Sequence, residues 1–346
     1  MILDLTSRKR ERRQSKSVAH ASGSSELIVQ HGAPMNHLRL IFVAAVLCPA
    51  LGCEWMKEHS IGKNLHKDKT GNGELPKVAP DPLVAYLNDR ADRLHSITNA
   101  DVRVTARERS IPMPPLRGTL VASQPRNFRM VGDAAMAAKV DLGSNDQQFW
   151  VYAKVPTNDP MFVYASHSDF EAGKAKIPGG IPFEPEWVMQ AFGMAHFPPN
   201  NQYTVLPPDE KTRTYTLKWP AVTPNGVSVV KEIVFDGDAA TGNKPQVKKH
   251  IIRDTKGKLI CFAEIKEAKT VQTGTTDPRT NLPLAVQYPT KVLLRWEEQK
   301  FEMELELLNA KINQPLTQEE FRRYYTRPNI PGATPIDLAK YEAPLK

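Results

Sequence analysis

His167-Ser168-Asp169 sets side by side the three residue types of a nucleophilic relay. Adjacent residues point different ways along a chain, and a relay needs groups converging from separate elements, so this tripeptide alone cannot pass a proton. No Gly-x-Ser-x-Gly elbow, His-Glu-x-x-His pair or phosphate-cradling glycine loop occurs. Asp236-Gly-Asp238 begins like a calcium loop, but the oxygen ligands that should follow at alternate positions are missing. His59 and His66 share no spacing with other ligand types, and Cys48, Cys53 and Cys261 form no Cys-x-x-Cys pair. No catalytic residue, metal site or cofactor is therefore expected, and the chain does not read as an enzyme.

Cys53 stands in a context with chemistry of its own. Arg39 precedes an uncharged stretch from Leu40 to Gly52, in which Leu40 to Leu47 is continuously apolar. A positive residue, an apolar run of this length and a small residue at its end make an export signal. Its close, Ala50-Leu51-Gly52-Cys53, resembles the bacterial lipobox, where the cysteine thiol receives a diacylglycerol before cleavage; Ala50 departs from the commoner leucine. Cys53 is accordingly the expected lipid attachment, with a secreted, unlipidated protein or an apolar core helix as the alternatives. Met35 opens a compact 18-residue signal, so residues 1–34 read either as upstream sequence or as a long n-region. Glu54 follows the cysteine, where aspartate is an inner-membrane signal in some bacteria. The expectation is a bacterial envelope lipoprotein, held by its N-terminal lipid in the outer membrane and facing the periplasm.

The charge points away from nucleic acid. The formal net charge is +8, but Arg8, Lys9, Arg10, Arg12, Arg13 and Lys16 all precede the apolar run, and from Cys53 onward 39 Lys/Arg face 35 Asp/Glu. A nucleic-acid binder would carry its basic cluster on the folded domain. No uncharged apolar run reaches the ~18 residues of a membrane-spanning helix. Of the 29 prolines, 26 lie after residue 78, scattered as punctuation between short elements.

Those elements are mostly strands. After a lysine-rich tether (53–79), Leu83, Val84, Leu87, Ala91 and Leu94 recur at helical spacing, with Asp81 as the expected N-cap and Pro82 in the first turn. The period then changes to two. Val102, Val104 and Ala106 alternate with charged or polar residues, as do Tyr215, Leu217 and Trp219, and Phe301, Met303, Leu305 and Leu307. Further strands are expected near 116–123, 126–132, 137–143, 147–154, 160–166, 227–235, 247–253, 259–267 and 291–296, with short helices at 184–193 and 318–325. Asp254-Thr-Lys-Gly257 reads as a hairpin turn. Pro112-Met-Pro-Pro-Leu116 reads as a hairpin connection, or as a loop presenting Met113 to a membrane. The domain is placed at 80–327, with 328–346 as an extended tail. Alternation with one polar face means that the sheet must curl to bury the other, either as a filled sandwich or around a cavity.

Leu116-Arg-Gly-Thr-Leu120, Pro125-Arg-Asn-Phe-Arg-Met130, Val140-Asp-Leu142 and Asn145 to Tyr152 follow the helix in that order. With the closing pair Pro289 to Trp296 and Phe301 to Asn309, this succession resembles the LolA/LolB-type lipoprotein carriers and their lipoprotein relatives over roughly residues 81–325. The resemblance implies a mainly β fold, an antiparallel curved sheet or incomplete β-barrel lidded by short helices. It also implies an acyl chain or lipoprotein as ligand, with the lipid-anchored acceptor as the nearer analogue. Leu120, Phe128, Met130, Val140, Leu142, Phe149, Val151, Trp187, Phe192 and Tyr215 are the candidate cavity lining, each equally at home in a packed core. Arg129 is the candidate headgroup contact or, alternatively, a solvent-facing strand residue. An interaction or structural module with a filled core and no ligand is the competing expectation.

Overall fold

The computed structural model describes residues 74–134, 138–154, 160–175, 185–224, 226–240, 246–278 and 280–341. The export signal, Cys53 and the tether as far as Gly73 lie outside them.

In chain order the elements are α1 (Pro80–Arg93), β1 (Ser96–Glu108), β2 (Ile111–Pro112), β3 (Leu116–Ser123), β4 (Asn127–Ala134), β5 (Lys139–Ser144), β6 (Gln148–Lys154) and β7 (Met161–Ser166). They continue with α2 (His167–Glu171), α3 (Pro185–Phe192), β8 (Thr204–Val205), β9 (Thr214–Val222), β10 (Ser228–Asp236), α4 (Gly237–Ala240) and β11 (Val247–Asp254). The chain closes with β12 (Leu259–Thr276), β13 (Pro283–Trp296), β14 (Phe301–Leu308), β15 (Lys311–Ile312), α5 (Gln318–Tyr325) and β16 (Ile336–Asp337).

One curved sheet holds the strands in the order β16-β7-β6-β5-β4-β3-β1-β14-β13-β12-β11-β10-β9-β8, with β2 and β15 paired to β1. It is antiparallel except where β16 joins β7 in parallel. Most neighbours are hairpins; the β1–β14 pair, eight residues in register from Asp101↔Leu308 to Glu108↔Phe301, joins the early strands to the late ones. The ends of the sheet, β8 and β16, are not paired to each other among the described residues, so the sheet is open.

Period two sends Val102, Val104, Met303, Leu305 and Leu307 to one face, and Arg103, Arg107, Glu302 and Glu306 to the other. The charged residues form a cross-strand ladder, with Arg103–Glu306 at 2.8 Å, Lys291–Glu304 at 3.0 Å and an Arg107–Glu302 pair. The apolar residues meet α1 and α3. This helix-covered side is the inner face. Leu94 of the α1 C-cap and Trp187, Met189, Ala191 and Phe192 of α3 are buried with β1, β3, β4 and β11–β14 in the largest core. Leu83, Val84 and Leu87 of α1 pack with Tyr215, Leu217, Ile233 and Phe235 in a second. Removing a side chain of this size from water contributes about 1.5–3 kcal/mol.

Four local expectations change. Helix α1 starts at Pro80, after Ala79 in an extended conformation without a side-chain cap, and Asp81 lies in its first turn. Packing begins before the expected domain start: Leu75 is buried, its N–H donates to Glu210 at 2.9 Å, and the Tyr215 hydroxyl donates to the Pro76 carbonyl at 2.9 Å. Strands β12 and β13 run far beyond 259–267 and 291–296. Register shifts at Ile265/Glu267, Glu267/Ala268 and Gln272/Thr276 break the side-chain alternation while the ladder continues, so the periodicity is lost before the strands end. The tail, expected to be extended or loose, is packed as far as it is described: Leu338 is buried, and Ile330 and Ala333 pack against Trp150, Tyr152 and Phe162 on the outer face.

The Pro112–Leu116 segment is a hairpin connection. β2 pairs back on β1, the Met113 N–H donates to the Ala106 carbonyl at 2.8 Å, and Met113 is half-buried against the main core.

Candidate functional site

The candidate lining residues fall on the inner face. Leu120, Met130, Leu142 and Val151 are consecutive cross-strand partners from β3 to β6, and Phe128 and Phe149 lie in the next row, with Ser144 between them. Leu120, Phe128, Met130, Trp187 and Phe192 belong to one core cluster, with Leu142 against it. Phe149 packs with Phe170 of α2 in a separate cluster, edge to face at 5.0 Å, and Val151 packs there too. Tyr215 is wholly buried in the α1 core, away from that row. The cover is uneven. Leu120 and Met130 are buried, whereas Val140, Leu142 and Val151 are only half-buried, which leaves a partly uncovered apolar strip over β5 and β6.

Farther along the inner face, α3 lies over β9–β11 across a narrow crevice. Trp187, Gln190, Trp219, Lys231, Glu232, His250, Ile251 and Ile252 line it, and it is too thin to admit a water molecule. Trp187 meets Trp296 edge-on at 6.0 Å, and Trp219 is held from its other side by Phe197 at 5.8 Å and Tyr203 at 5.5 Å.

Two polar groups, His250 in this crevice and Arg90 of α1, are buried at a cost. His250 is 3% exposed and its Nε2 has no hydrogen-bond partner. Burial, and then the nearby Arg90 charge, push its pKa down to about 3, so the ring is neutral. Arg90 projects from α1 and is 5% exposed. Its Nε donates to the Gln287 carbonyl at 3.0 Å and its Nη2 to the Phe192 carbonyl at 3.3 Å, at the C-terminal end of α3 where a cation is favoured. Burial also lowers the Arg90 pKa, and no carboxylate lies within ion-pair distance of it among the described residues. Gly193 makes room for the guanidinium: φ is +78°, and a Cβ there would lie 2.3 Å from Arg90 Cζ. The Trp296 indole N–H is likewise buried without a partner.

Arg129 lies elsewhere. As the strand neighbour of Met130 it points to the outer face, where it grips Asp141 at 3.1 and 2.6 Å and donates to the Arg323 carbonyl of α5 at 3.0 Å. It is neither at the inner face nor freely solvated. His167 and Asp169 do not meet either. His167 Nε2 lies 2.8 Å from the Asn145 carbonyl, while Asp169 accepts from Ser166 Oγ at 2.7 Å, the contact that chiefly lowers its pKa at the start of α2. No cluster of His, Cys, Asp and Glu suited to a metal occurs among the described residues. Cys261 is buried.

Sequence reasoning missed Arg90 and His250, although both left a signal. Arg90 interrupts the apolar stripe of α1 three residues after Leu87, and His250 stands two residues before Ile252 on the inner phase of β11.

No protein-family model matches the sequence, and no curated protein sequence matches it. Among solved structures, a LolA superfamily protein from Nitrosomonas europaea is similar over 71% of this chain and 98% of its own, at 10% identity and a TM-score of 0.42. A domain described as an outer membrane lipoprotein-sorting protein, from Vibrio parahaemolyticus, matches over 69% and 96%, at 12% identity and 0.42. The chain is similar in fold to LolA-superfamily proteins. A DUF1329 family protein from Desulfovibrio piger is alike in the same way as these LolA-type structures, over 70% and 98%, at 11% identity and 0.43. These are likenesses of fold, and what those proteins sort or bind is not transferred by them.

Proposed function

We propose that this chain is a lipid-anchored protein of the bacterial envelope that takes acyl chains, free or as part of a lipoprotein, onto the inner face of its sheet. The observation that carries the reading is the uneven cover of that face. An apolar row crosses β3–β6, buried at Leu120 and Met130 but half-buried at Leu142 and Val151, and it is continuous with the surface beneath α3. An acyl chain needs only apolar wall and an entrance, and the half-buried strip offers both. The lipobox-like Ala50-Leu51-Gly52-Cys53 supports the anchor, and the export signal ahead of it supports the envelope. Since the crevice under α3 is too thin for water, uptake requires α3 to lift from the sheet.

That same narrowness favours a second reading, an interaction module with a permanently filled core. Displacement of a fluorescent fatty-acid probe by saturated acids of increasing length separates the two. Burial of methylenes contributes about 0.8 kcal/mol each, so affinity should rise roughly fourfold per added CH₂ until the face is filled. Leu142→Glu should abolish most of that gain by placing a charge on the strip. A flat response, or no probe binding, leaves the filled module.

A further inference from the structure

Strand register sets the β9–β10, β11–β12, β13–β14 and β1–β2 turns at one end of the sheet, together with Lys139 of β5 and Lys154 of β6. Three exposed apolar side chains stand at this end: Val222, Val227 and Ile111, at 68%, 53% and 44% exposure. The Thr223 N–H donates to the Val227 carbonyl at 2.9 Å, so both valines flank one tight turn. Arg109, Lys154, Lys256, Lys258 and Lys300 are exposed at the same end and form no ion pair among the described residues. The other cations there are taken: Arg107 by Glu302, Lys139 by Asp133, Arg253 by Glu232 and Arg295 by Glu297. Glu108, Glu298 and Asp254 remain as acids, the last accepting from the Lys256 and Lys258 N–H groups of its own turn. Lys139 and Lys154 are direct cross-strand partners, a like-charge pairing that costs stability. At the opposite end acids interleave the cations, with Arg213 paired to Asp238 and Lys248 to Asp236.

We infer that this end of the sheet docks on an anionic phospholipid surface, with Val222, Val227 and Ile111 entering the headgroup layer and the unpaired cations facing the lipid phosphates. Apolar groups beside cations match the layering of such a surface, and each cation near it strengthens adsorption about fivefold. Small apolar residues on separate turns suit a yielding lipid surface better than a protein partner, which needs a continuous complementary patch. The half-buried strip opens at the same end: Val140 follows Lys139 and lies cross-strand from Ala153, so a bilayer set against these turns stands at its mouth. The docking rests on exposure and charge and holds whether or not the strip takes acyl chains.

The test maps lysine acetylation by mass spectrometry on the full chain with vesicles of phosphatidylglycerol and phosphatidylethanolamine. Lys256, Lys258 and Lys300 should react about threefold or more slowly there than with phosphatidylcholine vesicles or in free solution. Lys269 and Lys311, exposed towards the opposite end, should react alike in all three. Salt at about 1 M, where charges are screened within about 3 Å, should remove the protection. Val227→Asp, an exposed turn substitution, should reduce it by setting a negative charge against the lipid. The unmodified protein decides the matter even if that variant fails to fold. Equal reactivity of the two lysine sets on the anionic vesicles overturns the docking while leaving acyl binding intact. Protection of Lys269 and Lys311 instead overturns it by placing the opposite end on the lipid. Protection of the first set without vesicles, growing with protein concentration, overturns it in favour of a second copy of this chain.

Discussion

The two faces of the sheet each hold an arginine, half-buried on the outer face and buried on the inner, and a buried tryptophan N–H, and they treat them differently. On the outer face Arg129 and the Trp150 indole converge on Asp141, with the indole N–H at 3.0 Å, and Arg129 also caps the end of α5. Gly143 admits the ring: a Cβ there would lie 2.1 Å from Trp150. Tyr325 adds a hydroxyl contact to Ser123 at 2.8 Å, and burial pushes its pKa up to about 12. Every strong donor in this latch has an acceptor. On the inner face Arg90 has carbonyls but no carboxylate, while Trp296 Nε1 and His250 Nε2 have nothing. A fully paired polar network rigidifies the seam it crosses, whereas a buried polar group left unpaired is costly.

The largest expected effect breaks the outer latch. Asp141→Ala leaves the Arg129 guanidinium and the Trp150 N–H facing an empty site, and urea unfolding should show a loss of about 3–5 kcal/mol. A loss under 1 kcal/mol would mean that the latch does not rigidify the seam.

Acid should act next, through the inner face. His250 takes up its proton near pH 6.5 when unfolded and only near pH 3 when folded. The unfolded state therefore binds more protons across that window, so stability is complete above it and falls as pH drops. By pH 4.5 the His250 contribution alone should amount to a loss of about 2–3 kcal/mol. Unfolding curves of the parent and of His250→Phe measure it as their difference, which should grow from pH 6.5 to 4.5.

The smallest effect is the most discriminating. Arg90→Met removes a buried charge that no carboxylate balances, and the thioether can fill the stem's space. Thermal unfolding should place this variant within about 1 kcal/mol of the parent. A loss near that of Asp141→Ala would show that Arg90 is as fully integrated as Arg129, and the contrast between the faces would fail.

Much of the architecture was legible in local pattern. Period-two alternation marked β1, β9 and β14, and α5 stands at 318–325 as its pattern predicts. There Thr317 accepts from the Glu320 N–H while Glu320 accepts from the Thr317 N–H. The Asp254–Gly257 turn forms as expected, with the Asp254 carboxylate taking the N–H groups of Lys256 and Lys258 and Gly257 at φ +85°. These features depend on neighbours within a few residues, and the sequence contains those neighbours. It also contains the lipobox-like segment and the lack of catalytic or metal motifs, since each is a matter of spacing along the chain.

Which side of the sheet a helix covers, and which buried polar group meets a partner there, depend on residues far apart in sequence. Arg129 and Arg90 look alike as letters, one in a strand and one in a helix. Asp141 is twelve residues from the first, whereas the carbonyls that hold the second belong to Phe192 and Gln287, 102 and 197 residues away. The tail shows the same division. Its prolines foretold an extended chain, but only tertiary packing laid Ile330, Ala333 and Leu338 against β6 and β7, because an extended segment carries no period that names its contact surface. The sequence by itself determined the strands, their apolar phase and the turns between them. The tertiary structure decided that the Arg129–Asp141–Trp150 cluster is fully paired while His250 Nε2 and Trp296 Nε1 are left without partners, since hydrogen bonding is settled by the distance between groups and not by their order along the chain.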